Sequence, residues 1–267
     1  MANTLLDLFE KNYQLLEWRD KVTLLSRQLV MGFSGSSKAV VMASALSEQV
    51  PKILIVTSTQ NEAEQLTGDL SAILGEDKVY SFFADDVVAA EFIFASPEKT
   101  HSRLESLNFL IDKESSGILV TSLVGTKLHL PNPEVYKDSR IDLTLGEEHD
   151  LEALSKHLTH IGYQRVEQVL SPGEFSRRGD ILDIYELTSE LPYRLEFFGD
   201  EIDGIRQFDS DSQKSLDNLE HVIVSPADDI ILTREDYQRA EKALESAVSK
   251  AEGPHKAYLE EVLSVTI

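Results

Sequence analysis

The sequence predicts an α/β protein carrying a second, α+β part. Short β-rich apolar runs alternate with helical stretches through the first half. Short strands separated by tight turns follow after residue ~139, and helical segments close the chain. The alternation in the first half is the signature of a parallel sheet; the short strands with tight turns are that of an antiparallel one.

Leu5, Leu8, Phe9, Leu15, Leu16, Leu24 and Leu25 recur at helical spacing and predict a helix over 3–29. A glycine-bearing turn, Gly32 to Lys38, opens into the apolar stretch Ala39–Leu46, a second helix. Lys52–Thr57 reads as a buried strand, and Asn61–Leu74 as a helix with Asn61 as its cap and Glu64 three residues on. Val79–Phe83 is a strand. Ser96–Leu110 is a helix with Pro97 in its first turn, and Gly117–Ser122 is the next buried strand.

Leu130-Pro131-Asn132-Pro133 breaks the pattern. After it, Ile141–Leu145 reads as a short strand and Asp150–Ile161 as a helix ended by Gly162. Gln164–Val169, Gly179–Tyr185, Tyr193–Phe198 and Glu201–Phe208 alternate as strands, the last two joined by a Gly199-Asp200 turn. Ser225-Pro226-Ala227 is a further break. His221–Val224 and Ile230–Leu232 are strand-like, Arg234–Lys250 is a helix capped by Thr233, and residues 254–267 begin another helix. The expected division is 1–138, a degenerate P-loop-like α/β domain; 139–225, an α+β domain; and 226–267, the start of a further small domain. With no final element at Ile267, the chain reads as a piece of something longer.

Composition narrows the function classes. In 267 residues, 42% hydrophobic content supports real cores rather than disorder. No run of ~18 apolar residues predicts a membrane span. The amphipathic, acid-bearing N-terminus has neither the basic start nor the apolar core of a signal peptide. With no cysteine, disulfides, thiolate metal sites and cysteine nucleophiles are excluded, and the chain suits a reducing, cytoplasmic setting. A formal net charge of -22 repels DNA on average, whereas duplex-binding proteins present a basic surface. The seven histidines form no H-E-x-x-H pattern. His157 and His160 lie three apart on a predicted helix without a third ligand. Asp85-Asp86 and Asp228-Asp229 read as loop or capping acids. No metal or cofactor is expected, and with no coiled-coil repeat a monomer is.

Gly32-Phe33-Ser34-Gly35-Ser36-Ser37-Lys38-Ala39 stands where a phosphate-binding loop belongs. The working pattern, G-x-x-x-x-G-K-[ST], needs glycine where the backbone wraps phosphates, a lysine for the β/γ-phosphates and a hydroxyl for Mg²⁺. Gly32 and Lys38 match. Ser37 replaces the second glycine, at ~1–2 kcal/mol if a left-handed conformation is required. Ala39 replaces the metal-binding hydroxyl, and alanine ligates nothing. The β-rich runs end in Thr57-Ser58 and Thr121-Ser122, without the metal-holding acid an active site requires. An anion at this loop would carry no functional meaning by itself.

The second half holds a distinctive stretch, Pro172-Gly173-Glu174-Phe175-Ser176-Arg177-Arg178-Gly179-Asp180-Ile181-Leu182-Asp183-Ile184-Tyr185. After a short linker comes Pro192-Tyr193-Arg194-Leu195-Glu196-Phe197-Phe198-Gly199-Asp200. Strand alternation puts Arg194, Glu196 and Phe198 on one face and Leu195 and Phe197 on the other. Two readings stay open. Either Phe198 is buried and the charges form a solvated sheet face, or Phe198 and the arginines form a protein-binding patch, since both residue types are enriched at hot spots.

The motifs GEFSRRGDILDIY and PYRLEFFGDEIDGIRQFD, with the degenerate loop upstream, resemble the N-terminal region of the bacterial transcription-repair coupling factor (Mfd) family. That region is similar to the damage-verifying protein UvrB. The resemblance implies a helicase-like α/β domain without its motor, an inserted domain and the start of a small one. It implies a module that recruits the excision-repair protein UvrA where RNA polymerase has stalled, with polymerase and DNA engaged through regions absent here. It maps UvrA contact onto Arg178, Arg194 and Phe198, the arginines facing acidic groups and the phenylalanine an apolar pocket. UvrB has an intact P-loop and an aromatic-rich hairpin. Here Ala84–Glu91 is acidic and without a tyrosine cluster, which favours the coupling factor. The competing expectations are a nucleotide hydrolase using Lys38, opposed by Ala39, and a DNA-binding module, opposed by the charge.

Overall fold

The structure is a computed structural model; it describes residues 13–22, 27–84, 97–228, 231 and 234–266. Residues 1–229 form one compact unit and residues 230–267 another.

The first unit contains a three-stranded parallel sheet of β1 (Lys52–Thr57), β2 (Val79–Phe82) and β3 (Gly117–Ser122), in the order β1-β3-β2. Lys52 to Thr57 pair in register with Gly117 to Ser122. The central strand, β3, is buried at all six positions because helices cover both faces. On one face, Ile55, Ile118 and Val120 pack against Ala39 and Ala43 of α2 (Ser37–Ala45) and Ala63, Leu66 and Leu70 of α3 (Gln60–Leu74), while α1 (Tyr13–Val22) lies upstream. On the other, Phe82 and Leu119 meet Phe109 of α4 (Pro97–Ile111), whose ring stacks on Tyr80 with centroids 4.2 Å apart.

Two boundaries differ from the sequence reading. Residues 27–31 are not helical, so the predicted 3–29 helix does not reach Gly32. Leu29 and Met31 face no core there, and helical winding without a packed face gains little. Residues 3–12 and 23–26 of that prediction lie outside the described residues, as does nearly all of the acidic 84–91 stretch. The cap of α3 is Thr59, not Asn61: its hydroxyl accepts from the Glu62 N–H at 3.2 Å. Thr59 is extended, as a cap must be, while Asn61 is already wound into the first turn.

The rest of the first unit is built on a six-stranded sheet ordered β10-β9-β8-β7-β6-β5. Its strands are β5 (Gln164–Arg165), β6 (Glu174–Arg178), β7 (Ile181–Ile184), β8 (Tyr193–Phe198), β9 (Glu201–Phe208) and β10 (Ser215–Leu219). All pairs are antiparallel except β5–β6. One face packs on α6 (Leu151–His160) and on a two-stranded ribbon of β4 (Ile141–Thr144) and β11 (His221–Val224). Leu151, Leu154 and Leu158 give α6 its buried stripe. Asp150 caps it, accepting from the Glu152 and Ala153 N–H groups at 2.8 and 3.1 Å.

The predicted strand over 164–169 is cut to two residues. The Leu170 and Ser171 N–H groups turn to the Glu174 carboxylate, at 2.8 and 2.9 Å, and close a loop. Three strands or helices are absent from the sequence reading: β6, which carries Arg178, and two more whose signal is weak. The short helix α5 (Pro133–Asp138) lies just past the proline break, and β10 is polar and exposed along most of its length. Residues 230–267 contribute α7 (Arg234–Lys250) and α8 (Gly253–Thr266). Thr233 lies outside the described residues, and Ile231 is not in a strand. Among the described residues, no helix is long and apolar enough to cross a membrane.

The parallel and antiparallel sheets meet at a polar seam. The Tyr136 and Ser225 hydroxyls both donate to Asn108 Oδ1, at 3.1 and 3.2 Å. His101 Nδ1 lies 2.6 Å from the Leu187 carbonyl. Beside it, the buried Glu186 accepts from the Thr188 N–H and hydroxyl on one oxygen, at 2.6 and 2.7 Å. Burial raises its pKa above the usual carboxylate value, opposed by Thr188. Native Glu186 therefore holds its proton more tightly than the unfolded chain does. Stability is fullest below the unfolded pKa and falls as pH rises through the native one. Melting temperatures across pH 4 to 8 should show that fall in the parent and a flatter profile in Glu186→Gln; equal slopes would exclude this residue as the source.

Candidate functional site

The loop between Gly32 and Lys38 holds its shape by internal bonds. Gly32 and Gly35 take φ of 95° and 55°. The Ser37 hydroxyl donates to the Ser34 carbonyl at 2.6 Å and accepts from the Ser34 N–H at 3.1 Å, so the serine that replaces the pattern's glycine staples the turn. Ser37 opens α2 in helical conformation, and the left-handed cost does not arise there. Ala39 is wholly buried in the α2–α3 core, where its methyl packs and no metal ligand is offered. Lys38 Nζ lies 3.4 Å from Glu62 Oε1. Glu62 has its pKa lowered by the Ser58 hydroxyl and by Lys38. The groove beside the loop is lined by Gly35, Ser36, Lys38, Glu62, Gln65, Leu66 and Asp69. Two carboxylates in that wall, one beside the only lysine, oppose a polyphosphate.

The second candidate is the sheet face turned away from α6. Alternation along β8 holds: Leu195 and Phe197 are buried in the core, while Arg194, Glu196 and Phe198 point the other way. A bulge between Glu196 and Phe197 is taken up by β9, so β8 keeps its phase to its end. Phe198 is therefore 82% exposed, the last residue before the Gly199-Asp200 turn, with Glu201 opposite it. Gly199 at φ 66° and Gly179 at φ 64° make the two tight turns at this end of the sheet, a conformation that glycine adopts without steric cost. Beyond the turn at Gly179 lies Arg178, with its side chain 48% exposed.

Arg194 is placed differently from Arg178. Its side chain is 13% exposed, and each of its nitrogens has an internal acceptor. Nε donates to Asp183 Oδ1 at 2.6 Å and Nη2 to Asp183 Oδ2 at 2.9 Å, a bidentate pair. Nη1 and Nη2 reach the Gln213 carbonyl and side-chain oxygens at 3.4 and 3.2 Å. The guanidinium carbon sits 4.4 Å from the centroid of the buried Phe208 ring. Arg178 Nη2 donates to the same Asp183 Oδ2 at 2.7 Å. Nearby, Arg206 pairs with Glu196.

The structure thus brings Arg178 and Arg194 to one carboxylate, with Phe198 on the same face farther along β8. It also adds residues that the sequence reading missed. Asp183 is wholly buried, and register puts it directly opposite Arg194. Its signal was a carboxylate between Leu182 and Ile184 in a core strand, uninterpretable until the strand pairing is known. Gln213 gave no signal. It adopts a left-handed φ of 59°, costly for a non-glycine residue, and its amide donates to the Ser210 and Val169 carbonyls at 2.7 and 3.3 Å. Those bonds fix the side-chain amide whose oxygen accepts from Arg194. Elsewhere, His157 Nε2 lies 3.1 Å from the Ser139 carbonyl and His160 is exposed. Asp85, Asp86 and Asp229 lie outside the described residues.

Residues 141–229, the span that contains this face, match the family model of the UvrB interaction domain. Over 84% of its length the chain is 35% identical to a transcription-repair-coupling factor of Bacillus subtilis (strain 168). Over 82% it is 34% identical to one of Staphylococcus haemolyticus (strain JCSC1435). In both cases the chain spans 19% of the relative's own length.

Proposed function

The chain belongs to the transcription-repair-coupling factor family, matching the N-terminal region of its members, and from that premise we propose that it is a non-catalytic, UvrB-like module that recruits UvrA to RNA polymerase stalled at a DNA lesion. The observation that carries this reading is Phe198. An aromatic side chain 82% exposed, at the end of a strand whose alternate residues fill a core, gains nothing for the fold by facing water. Within an interaction domain it is an anchor for a partner's pocket.

The contact surface comprises Arg178, Arg194 and Phe198. Phe198 fills an apolar pocket on UvrA, Arg178 meets an acidic group there, and Arg194 supports the face from within. The loop of Gly32, Gly35, Ser37, Lys38 and Ala39 serves as scaffold. Its buried methyl and its lysine beside Glu62 support the absence of nucleotide chemistry. On this reading, 1–138 is the scaffold, 139–225 the UvrA-binding domain and 226–267 the start of a third piece. Polymerase contact and ATP-driven translocation belong to other parts of such a protein.

Surface-immobilised chain exposed to purified UvrA should give saturable binding. The same preparation with ATP and Mg²⁺ should release no more phosphate than its Lys38→Ala variant. A chain that ignores UvrA refutes the recruiting role. Magnesium-dependent turnover lost with Lys38 restores the hydrolase reading.

A further inference from the structure

We propose that Asp183 is a positioning residue of the docking surface, a single buried carboxylate that holds the Arg178 and Arg194 guanidinium groups as one unit, with Arg178 presenting the charge. This rests on the recruiting role and assigns parts within it.

The geometry is that of a bridge. Asp183 accepts three N–H bonds, one on Oδ1 from Arg194 and two on Oδ2, from Arg194 and Arg178, all between 2.6 and 2.9 Å. Its other cross-strand neighbour, Ser176, does not compete, because that hydroxyl donates to the Glu167 carbonyl at 2.8 Å. The two arginines differ in freedom. Arg194 is fixed by Asp183, by both oxygens of Gln213 and by the Phe208 ring. Among the described residues Arg178 makes one hydrogen bond, and half of its side chain is exposed to solvent. Two cations on one anion leave one positive charge in excess, and it is expressed at the exposed end. Without the carboxylate, the two guanidinium groups would repel each other and Arg178 would lose the contact that fixes its direction. Asparagine cannot replace it: one side of the amide accepts, but the other opposes N–H with N–H.

Removing Asp183 alone strands Arg194, so the test uses the neutral pair Asp183→Leu with Arg194→Met, because apolar residues of similar volume are tolerated in place of a buried ion pair. Thermal melting establishes that the double variant is folded, and UvrA affinity is then measured with Arg178→Ala and Phe198→Ala added separately, in the parent and in the double variant. We expect the neutral pair to weaken binding about tenfold. Arg178→Ala, costly in the parent, should change affinity in the neutral pair by less than about twofold, while Phe198→Ala keeps its full effect. A structural role alone would lower the melting temperature without erasing the Arg178 effect. Undiminished cost of Arg178→Ala in the neutral-pair variant, or unaltered affinity of that variant, overturns the role of Asp183 and leaves the docking surface standing. If Arg178→Ala and Phe198→Ala are both silent in the parent, the surface itself is misplaced, and the role of Asp183 falls with it.

Discussion

Phe198→Ala is expected to weaken UvrA binding by at least about thirtyfold, ~2 kcal/mol, the usual cost of truncating an aromatic anchor. The far-UV circular dichroism spectrum and melting temperature should stay at parent values. The asymmetry follows from burial: an 82% exposed ring makes little contact within the fold, so the fold loses little when it goes. Its neighbours on the strand behave oppositely. Phe197→Ala would open the core and cost ~3–5 kcal/mol of stability, with binding lost only as a by-product. Running the two adjacent variants together separates contact from collapse. Equal UvrA affinity for the parent and Phe198→Ala would move the docking surface elsewhere.

The second large effect is on stability. Asp183→Ala should lower the free energy of unfolding by ~3–5 kcal/mol, the cost of breaking a buried pair and leaving its partner uncompensated. The carboxylate is wholly buried and the Arg194 side chain is 13% exposed, so solvent screens neither well. Urea denaturation gives the number. Removing Lys38 from its pair with Glu62 is the contrast: those side chains are 46% and 43% exposed, so solvent screens the pair and the loss should be small. Adding Arg194→Met to Asp183→Ala should restore much of the deficit, because the stranded cation is then gone. A loss for Asp183→Ala no larger than that for Lys38→Ala would show that the pair is not acting as a buried one.

Local pattern reached far into this fold. β3 was legible because a buried parallel strand is a continuous apolar run, and β8 because its alternation is clean; β1 carries the same apolar run, but Leu54 and Val56 are exposed on one face, so its expected burial holds only in part. Competition for hydrogen bonds was not legible. Past the strand expected over 164–169, the Leu170 and Ser171 N–H groups go to the Glu174 carboxylate, and the cap of α3 passed from Asn61 to Thr59, choices that depend on where a side chain or backbone happens to sit. At the docking face, alternation put Phe198 outward but could not say whether anything covered it. Nor could it distinguish Arg178 from Arg194. Both are arginines on strands, and only the register of β7 against β8 makes one a support and leaves the other half in water.

The ribbon of β4 and β11 has a consequence for how such a surface travels between proteins. Ile141 lies opposite Val224, so the first and last strands of the UvrB interaction domain run side by side and share its core. A segment whose two ends already touch can be spliced into a host loop with almost no extra closure entropy, and its host need only offer two neighbouring attachment points. A segment closed in this way is portable: it can be set into carriers that differ in everything else without being redesigned for each.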